Sequence, residues 1–320
     1  MMSSYYIGID IGGTKIAGAV VTDRGKILSW AKVVSPAQSN PKNIFICLTD
    51  LIEELRISSG VSVSKIQGIG LGIPGIVDTR TNTILAAPNI NLTGFPLSSL
   101  LKKKYRRKVA MLNDVNAGLL GEAWLGVARR LKYVVGIFPG TGVGGAALMD
   151  GKLLLGTQGA ATELGHMIIQ EGGALCHCGN HGCLEALASR WAIERDIRIL
   201  MKSGQKSIVK NLNNGNLSTI KSRLLKEALQ KNDQVVTQVL KKVSTILGQA
   251  SVSINHVFNP QAIVFGGGVI KACGFYMLPI IEKALKADPF FKKFNSCRIL
   301  QSTLGDDAVI LGAVKVVKSL

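Results

Sequence analysis

The 320-residue sequence predicts a two-domain α/β fold with a duplicated core. Three observations predict it. At roughly 100–200 residues per domain, the length suggests two domains. Runs with strand character alternate with runs of helical period, the pattern of α/β architecture. The glycine-rich opening of the chain also returns once, 128 residues later.

The elements follow in order. Tyr5 to Ile11 is β-branched and apolar, Gly12-Gly13 breaks it, and Lys15 to Thr22 resumes it. Asp23-Arg24-Gly25 reads as a turn, and Lys26 to Val34 as a third strand. From Asn43 to Arg56, apolar residues at Ile44, Leu48, Leu51, Ile52 and Leu55 keep a helical period. Gln67 to Ile73 is a buried strand that stops at Pro74-Gly75. Val109 to Leu112 is another, followed by Asn113-Asp114 and a helix through Trp124. Ala262 to Phe265 is a short buried strand, and Val309, Ile310, Ala313, Val314 and Val317 mark a C-terminal helix from about Asp307.

The repeat lays Gly8-Ile9, Gly12 to Lys15, Gly18 to Val20 and Gly25 to Leu28 over Gly136-Ile137, Gly140 to Val143, Ala146 to Leu148 and Gly151 to Leu154. The offset is 128 residues, falling to 126 after a two-residue deletion at the second turn. A single repetition is not a solenoid. It predicts two copies of a strand–turn–strand–turn–strand unit, with a pair of facing glycine turns; two compositionally similar hairpins are the duller explanation.

Composition excludes several classes. Hydrophobic residues make up 47% and charged residues 18%, too apolar for a disordered chain. The apolar stretches are cut by glycine and proline before the ~18 residues a membrane span needs. The opening MMSSYYIGIDIGG has neither the basic region nor the apolar run of a secretory signal, so a cytoplasmic protein is expected. Lys and Arg number 38 against 20 Asp and Glu, a net charge of +18. The densest run is Lys102, Lys103, Lys104, Arg106, Arg107 and Lys108. No zinc-finger helix, homeodomain or RNA-recognition aromatic pattern accompanies it, so no nucleic-acid partner is expected. A positive surface also attracts a polyphosphate anion.

Three stretches carry glycine chemistry. Asp10-Ile-Gly-Gly-Thr-Lys15 and Pro139-Gly-Thr-Gly-Val-Gly-Gly145 are turns between strands, where glycine lets backbone N–H groups approach an anion. Neither is a Walker A loop, because GxxxxGK[ST] is absent and a strand follows each turn. Taken together, with Asp10 able to hold a hydrated Mg²⁺ or orient a phosphate, they point to a nucleotide between two domains. In the third stretch, Asn259 to Val269, Gly266-Gly267-Gly268 open a helix or turn, either for an adenosine or for tight packing. Of six cysteines, Cys176, Cys178 and Cys183 fall within eight residues. That is no extracellular disulfide framework; it reads as a metal site in a reducing compartment. Asp114, after a strand and at a helix start, suits either a helix cap or a catalytic carboxylate.

The DIGGTK turn, the LNDVNA segment at 112–117, the PGTGVGG turn, the ELGH segment at 163–166, CHCGNHGCLE at 176–185 and NPQAIVFGGG at 259–268 occur in an order that resembles the ROK family. The resemblance runs from about Ile7 to Leu311. It implies a two-domain actin/hexokinase-like (ribonuclease H-like) fold with an interdomain cleft. The family contains sugar kinases, chiefly glucokinases and kinases of N-acetylated hexosamines, together with sugar-responsive repressors. The implied activity is ATP-dependent phosphorylation of a hexose 6-hydroxyl, glucose first, with N-acetylmannosamine or N-acetylglucosamine as the alternative. A repressor is expected to carry a DNA-binding domain ahead of a first strand that here begins near Tyr5.

Carried over residue by residue, the resemblance makes Asp114 the catalytic base. Gly75, Asn89, Asn113, Asp114, Glu163, His166 and Glu185 line the sugar; Glu122, from its own place on the helix after Asp114, reads as structural. Asp10, Gly12, Gly13, Thr14, Lys15, Gly140, Thr141, Gly142, Gly266, Gly267 and Gly268 bind ATP and Mg²⁺. A structural Zn²⁺ falls to His166, Cys176, Cys178 and Cys183, with His177 and His181 as competing ligands, His177 the weaker because the middle residue of a CxC pair points away. In one departure, Thr162 stands where the family's Ala-Gly-Glu segment has glycine. The expected division is 1–113 plus 307–320 for the smaller domain and 114–306 for the larger, in a homodimer.

Overall fold

The structure, a computed structural model, describes residues 4–294 and 296–320. The first three residues of the opening stretch lie outside them. The chain divides into two compact units, one of Met1–Arg130, Lys152–Thr162 and Asp306–Leu320, the other of Leu131–Gly151 and Glu163–Gly305.

The first unit begins with β1 (Tyr5–Ile11), β2 (Lys15–Thr22) and β3 (Ile27–Val34), an antiparallel meander whose breaks fall at the glycine turns. Helix α1 (Pro41–Ser59) has proline at its first position, the Asn40 side chain accepting from the Lys42 N–H, and Gly60 ending it at φ 68°. Strands β4 (Ile66–Ile73), β5 (Ile76–Asp78) and β6 (Thr83–Ala86) lead to α2 (Leu97–Tyr105), β7 (Lys108–Asn113) and α3 (Asp114–Trp124). The main sheet runs β3-β2-β1-β4-β7, with β4 parallel to both β1 and β7. One core, from Ile7 through Leu48 and Leu55 to Met111, fills the space between sheet and helices.

The second unit repeats that plan. It contains β8 (Val134–Pro139) and β9 (Val143–Met149), is edged by β10 (Lys152–Leu153), where the chain re-enters the first unit, and continues with α4 (Leu184–Ala188), α5 (Arg190–Lys202), α6 (Val209–Leu212), α7 (Ser222–Gln230), α8 (Gln234–Phe258), β11 (Ala262–Phe265), α9 (Gly267–Lys286) and β12 (Arg298–Gln301). Its sheet order, β10-β9-β8-β11-β12, matches the first sheet position for position, with parallel pairing again on the β11 side of β8. The duplication therefore covers five strands, two more than the glycine pattern displays. The registers also correct the alignment of the repeat. Ile11 pairs with Ile16 in the first hairpin and Pro139 with Val143 in the second, so the second glycine turn is one residue shorter. The two-residue deletion is split between the two turns, and Gly18 corresponds to Gly145.

Helix α10 (Asp307–Lys318) returns to the first unit and packs against α3, β4 and β1. At Gly312 the helices come so close that a Cβ would enter the Ala117 carbonyl oxygen. This packing places α3 in the first unit, so that unit reaches Arg130 instead of ending at 113. Among the described residues no helix is long and apolar enough to cross a membrane.

Candidate active site and metal cluster

In the first unit, parallel registers align Asp10 with Gly72 and Gly72 with Leu112. Asp10, Pro74-Gly75 and Asn113-Asp114 thus leave the sheet at the same edge, the carboxyl ends of β1, β4 and β7, where α/β sheets bind ligands. At strand spacings of about 4.8 Å, β1 and β7 are roughly 10 Å apart. The first glycine turn closes with the Gly12 N–H donating to the Lys15 carbonyl at 2.9 Å. The Asn89 backbone lies against Gly13. Lys15 Nζ lies 2.8 Å from Asp306 Oδ2, at the start of α10. Burial pushes the Asp10 carboxyl up to about 6; Lys15 pulls it down and Asp306 pushes it further up.

Asn113, not Asp114, caps the helix. Its Oδ1 accepts from the Val115 and Asn116 N–H groups at 2.9 and 3.0 Å, so Asn113 caps α3 and Asp114 is the first helical residue. Asparagine Nδ2 donates to the Gly75 carbonyl at 2.9 Å. Gly75 has φ 141°, and a Cβ there would enter the Ala86 carbonyl oxygen, so only glycine fits. The Asp114 Oδ1 accepts from the Val115 N–H at 2.9 Å. Glu122 is fully buried and accepts from the Val127 N–H, which is a structural role.

In the second unit the remaining motifs converge. The second glycine turn closes with the Gly140 N–H on the Gly142 carbonyl at 2.8 Å. Gly266 and Gly267 pack on Phe138 and Pro139, bringing the third glycine stretch, the start of the 20-residue helix α9, beside that turn. Glu185 Oε2 accepts from the Val143 N–H at 3.0 Å and fills the space a Cβ on Gly142 would need. Its other oxygen, Oε1, is 3.7 Å from Cys176 Sγ. One carboxylate thus ties the glycine turn to the cysteine cluster. Desolvation pushes the Glu163 carboxyl up, His166 pulls it down, and Glu185 pushes it up.

The ligand atoms of His166, Cys176, Cys178 and Cys183 all lie within 4.8 Å of one another. Cys178 Sγ is 3.7 Å from Cys183 Sγ, and Cys176 Sγ is 3.8 Å from His166 Nδ1. A tetrahedron with Zn–S bonds of about 2.3 Å has edges of about 3.8 Å, so the set fits a closed structural Zn²⁺ site. The two competing histidines point elsewhere: His177 stacks on Trp191 at 4.6 Å, and His181 Nδ1 is 3.0 Å from the Gly173 carbonyl oxygen.

The model of the ROK family matches residues 6–319. The chain belongs to the ROK family. A glucokinase of Thermotoga maritima is 32% identical over 98% of this chain and 96% of its own length. A xylose repressor of Caldicellulosiruptor bescii is 29% identical over 98% of this chain and 78% of its own. Among solved structures, a ROK family glucokinase from Streptomyces griseus, in complex with glucose and AMPPNP, superposes with TM-score 0.84 at 29% identity, covering 99% of this chain and 100% of that one. The fold of this ROK chain is accordingly the actin/hexokinase-like one.

Two residues near the ROK motifs escape sequence reasoning. Arg190 donates through its backbone N–H to the Gly140 carbonyl at 2.9 Å and through its guanidinium to Thr141 Oγ1 at 3.2 Å. Asp306 faces Lys15. Both reach their turns from far along the chain, and neither belongs to a recognisable motif. Thr162 keeps the left-handed conformation that suits the family's glycine, at φ 63°, with its hydroxyl donating to the Ala161 carbonyl at 2.6 Å.

Proposed function

We propose that this ROK protein is an ATP-dependent sugar kinase that phosphorylates the 6-hydroxyl of a hexose, with glucose as its first substrate. The observation that carries this reading is the start of α3. Asn113 supplies the helix cap, so the cap does not account for Asp114, and an acidic residue at this sheet edge suits a general base. In this reading the Asp114 carboxylate accepts the proton of the 6-hydroxyl as that oxygen attacks the γ-phosphorus. The phosphoryl group leaves the β-phosphate oxygen of ATP, and ADP is released. Asn113 and Gly75, already bound to each other, would present their polar groups to the sugar, and Glu163, His166 and Glu185 would complete its hydrogen bonding.

Mg²⁺ bound with ATP supplies neutralisation of the phosphate charge. Asp10, raised by burial and by Asp306, has the chemistry of a carboxylate that gains from a cation. The two glycine turns offer backbone N–H groups, and the α9 N-terminus offers its positive dipole, to the nucleotide's phosphates. Zn²⁺ held by His166, Cys176, Cys178 and Cys183 would brace the segment that carries Glu163 and Glu185.

An N-acetylhexosamine is the second reading of the substrate, because the family's kinases of N-acetylated hexosamines share the same ligand set; Thr162, beside Glu163 where the family has glycine, bears on the fit of either sugar. A coupled ADP-release assay with Mg²⁺·ATP and a panel of glucose, mannose, N-acetylglucosamine and N-acetylmannosamine tests the proposal. Release with glucose above the others is expected. Release only with an N-acetylhexosamine would move the substrate assignment, and no release with any sugar would remove the kinase reading.

A further inference from the structure

The open edge of the first sheet carries a groove with no place in the reaction. Strand β3 is the outermost strand, and beside it lies a groove of about 500 Å³ between Val33 and the α1 residues Ile46, Cys47, Asp50 and Glu54. These α1 positions recur at helical spacing, so they form one stripe that overhangs the place where a sixth strand would lie. The Ser35 N–H donates to the Thr14 carbonyl, towards β2. By antiparallel alternation, the backbone groups of Trp30, Lys32 and Val34 face the open edge. Val34 is 85% exposed, Ile46 54% and Trp30 39%, an apolar border along an unprotected strand.

Asp50 and Glu54 give this groove its negative charge. They are exposed, one helical turn apart, and neither has an ion pair among the described residues, whereas neighbouring Glu53 is held by Arg56 at 2.8 Å. Two like charges at this spacing disfavour the helix. In a chain of net charge +18 they form a local acidic wall. A second copy does not complement it. Two-fold pairing of β3 with β3 would bring Asp50 and Glu54 of both copies to one seam, and Lys32 points to the opposite face of the strand from the α1 side, to which Ser29 is bound.

We propose that this groove takes an extended segment of a partner protein, alternating apolar and basic residues, as an added strand on β3. Backbone hydrogen bonds to β3 would supply affinity. On the α1 side of the added strand a Lys or Arg would reach Asp50 and Glu54 beside Val33, and on its other side apolar residues would lie along exposed Trp30 and Val34. The proposal is independent of the kinase reading.

The test uses the full chain and a fluorescein-labelled peptide of four Val-Lys repeats, with a peptide of four Val-Glu repeats as control. Long-range attraction cannot produce the expected result, because a +18 protein repels the lysine peptide and attracts the glutamate one. Fluorescence anisotropy should show saturable binding of the lysine peptide only. Binding should weaken at least about tenfold in the double variant Asp50→Lys, Glu54→Lys, whose fold is checked by melting temperature. In the unmodified protein, saturating lysine peptide should slow alkylation of Cys47 in the groove wall. Absence of saturable binding, tighter binding of the glutamate peptide, unchanged affinity in the double variant or unprotected Cys47 would each overturn the proposal. So would a dimer in sedimentation that Asp50→Lys dissociates, which would assign the groove to a second copy.

Discussion

At the start of α3, the proposed mechanism assigns two tasks to two adjacent residues, the helix cap to Asn113 and proton acceptance to Asp114. Asn113 caps the helix and holds Gly75, so its removal should damage structure as well as chemistry. Asn113→Ala is expected to lower stability by about 1–2 kcal/mol, read from chemical denaturation. Asp114→Asn keeps the shape but removes the proton acceptor. Its kcat should fall about 10²–10⁴-fold with little change in sugar affinity or melting temperature. Asp10 brings a pH dependence whose sign is opposite to that of a salt-bridged carboxylate. Its folded value of about 6 stands above the ordinary 3.8, so the folded state binds the proton more tightly between those values. The penalty for ionising it is absent below about pH 3.8 and complete above about pH 6, and stability contributed by this group falls as pH rises through that window. Asp10→Asn should therefore raise the melting temperature at pH 7.5 without Mg²⁺, by the equivalent of roughly 1–3 kcal/mol, while activity is lost. An unchanged or lower melting temperature would contradict this account of Asp10. The motif residues were legible because glycine turns and cysteine clusters are local in sequence. Asp306 and Arg190 were not, since only folding carries them to Lys15 and Thr141.

Among elements, the cysteine segment is the one whose order depends most on a ligand. It contains no strand or helix longer than a turn between β10 and α4, and two isolated bridges, Ile168 with Cys183 and Leu175 with His181, pin it. Burial pushes the Cys176 thiol up to about 12 and Cys183 in the same direction, so a bound cation has to displace reluctant protons from these two, while the Asn180 backbone N–H pulls Cys178 down. Cys178→Ala is expected to lose stoichiometric zinc in elemental analysis, melt earlier and weaken sugar binding more than ATP binding. Full zinc content with unchanged sugar affinity would remove the structural-zinc reading. Strand and helix positions were legible for β1 to β4, α1, β7 and α3, where apolar periods are strong, with ends within three residues; β5 and β6, three and four residues long, and α2, which carries the basic run, were not. The one-residue slip in the aligned second hairpin was not. Glycine-rich strands look alike at neighbouring registers, and only the ladder pairing of Pro139 with Val143 distinguishes them.

On the scale of the whole molecule, the same five-strand sheet order occurs twice, and the last helix returns across almost the full length of the chain to complete the first unit. That return was visible as a helix in the sequence, but the partnership of α10 with α3 was not. It depends on small residues that let backbones meet, a signal shared with any flexible turn. Gly312→Val would force a branched side chain against the Ala117 carbonyl and should cost at least about 1–3 kcal/mol. Hydrogen exchange should then rise in α3 and α10 together while α8 stays protected; uniform exchange across both units would contradict the separate placement of α10. In the proposed reaction a phosphoryl group passes from ATP to a hexose with Asp114 as base. The most direct measurement is a ³¹P NMR time course of glucose, ATP and Mg²⁺ with the wild-type protein and Asp114→Asn in parallel. A sugar 6-phosphate monoester growing in step with ADP is expected for the wild type, and none over the same period for the variant. Inorganic phosphate without sugar phosphate, or equal product from both proteins, would contradict it.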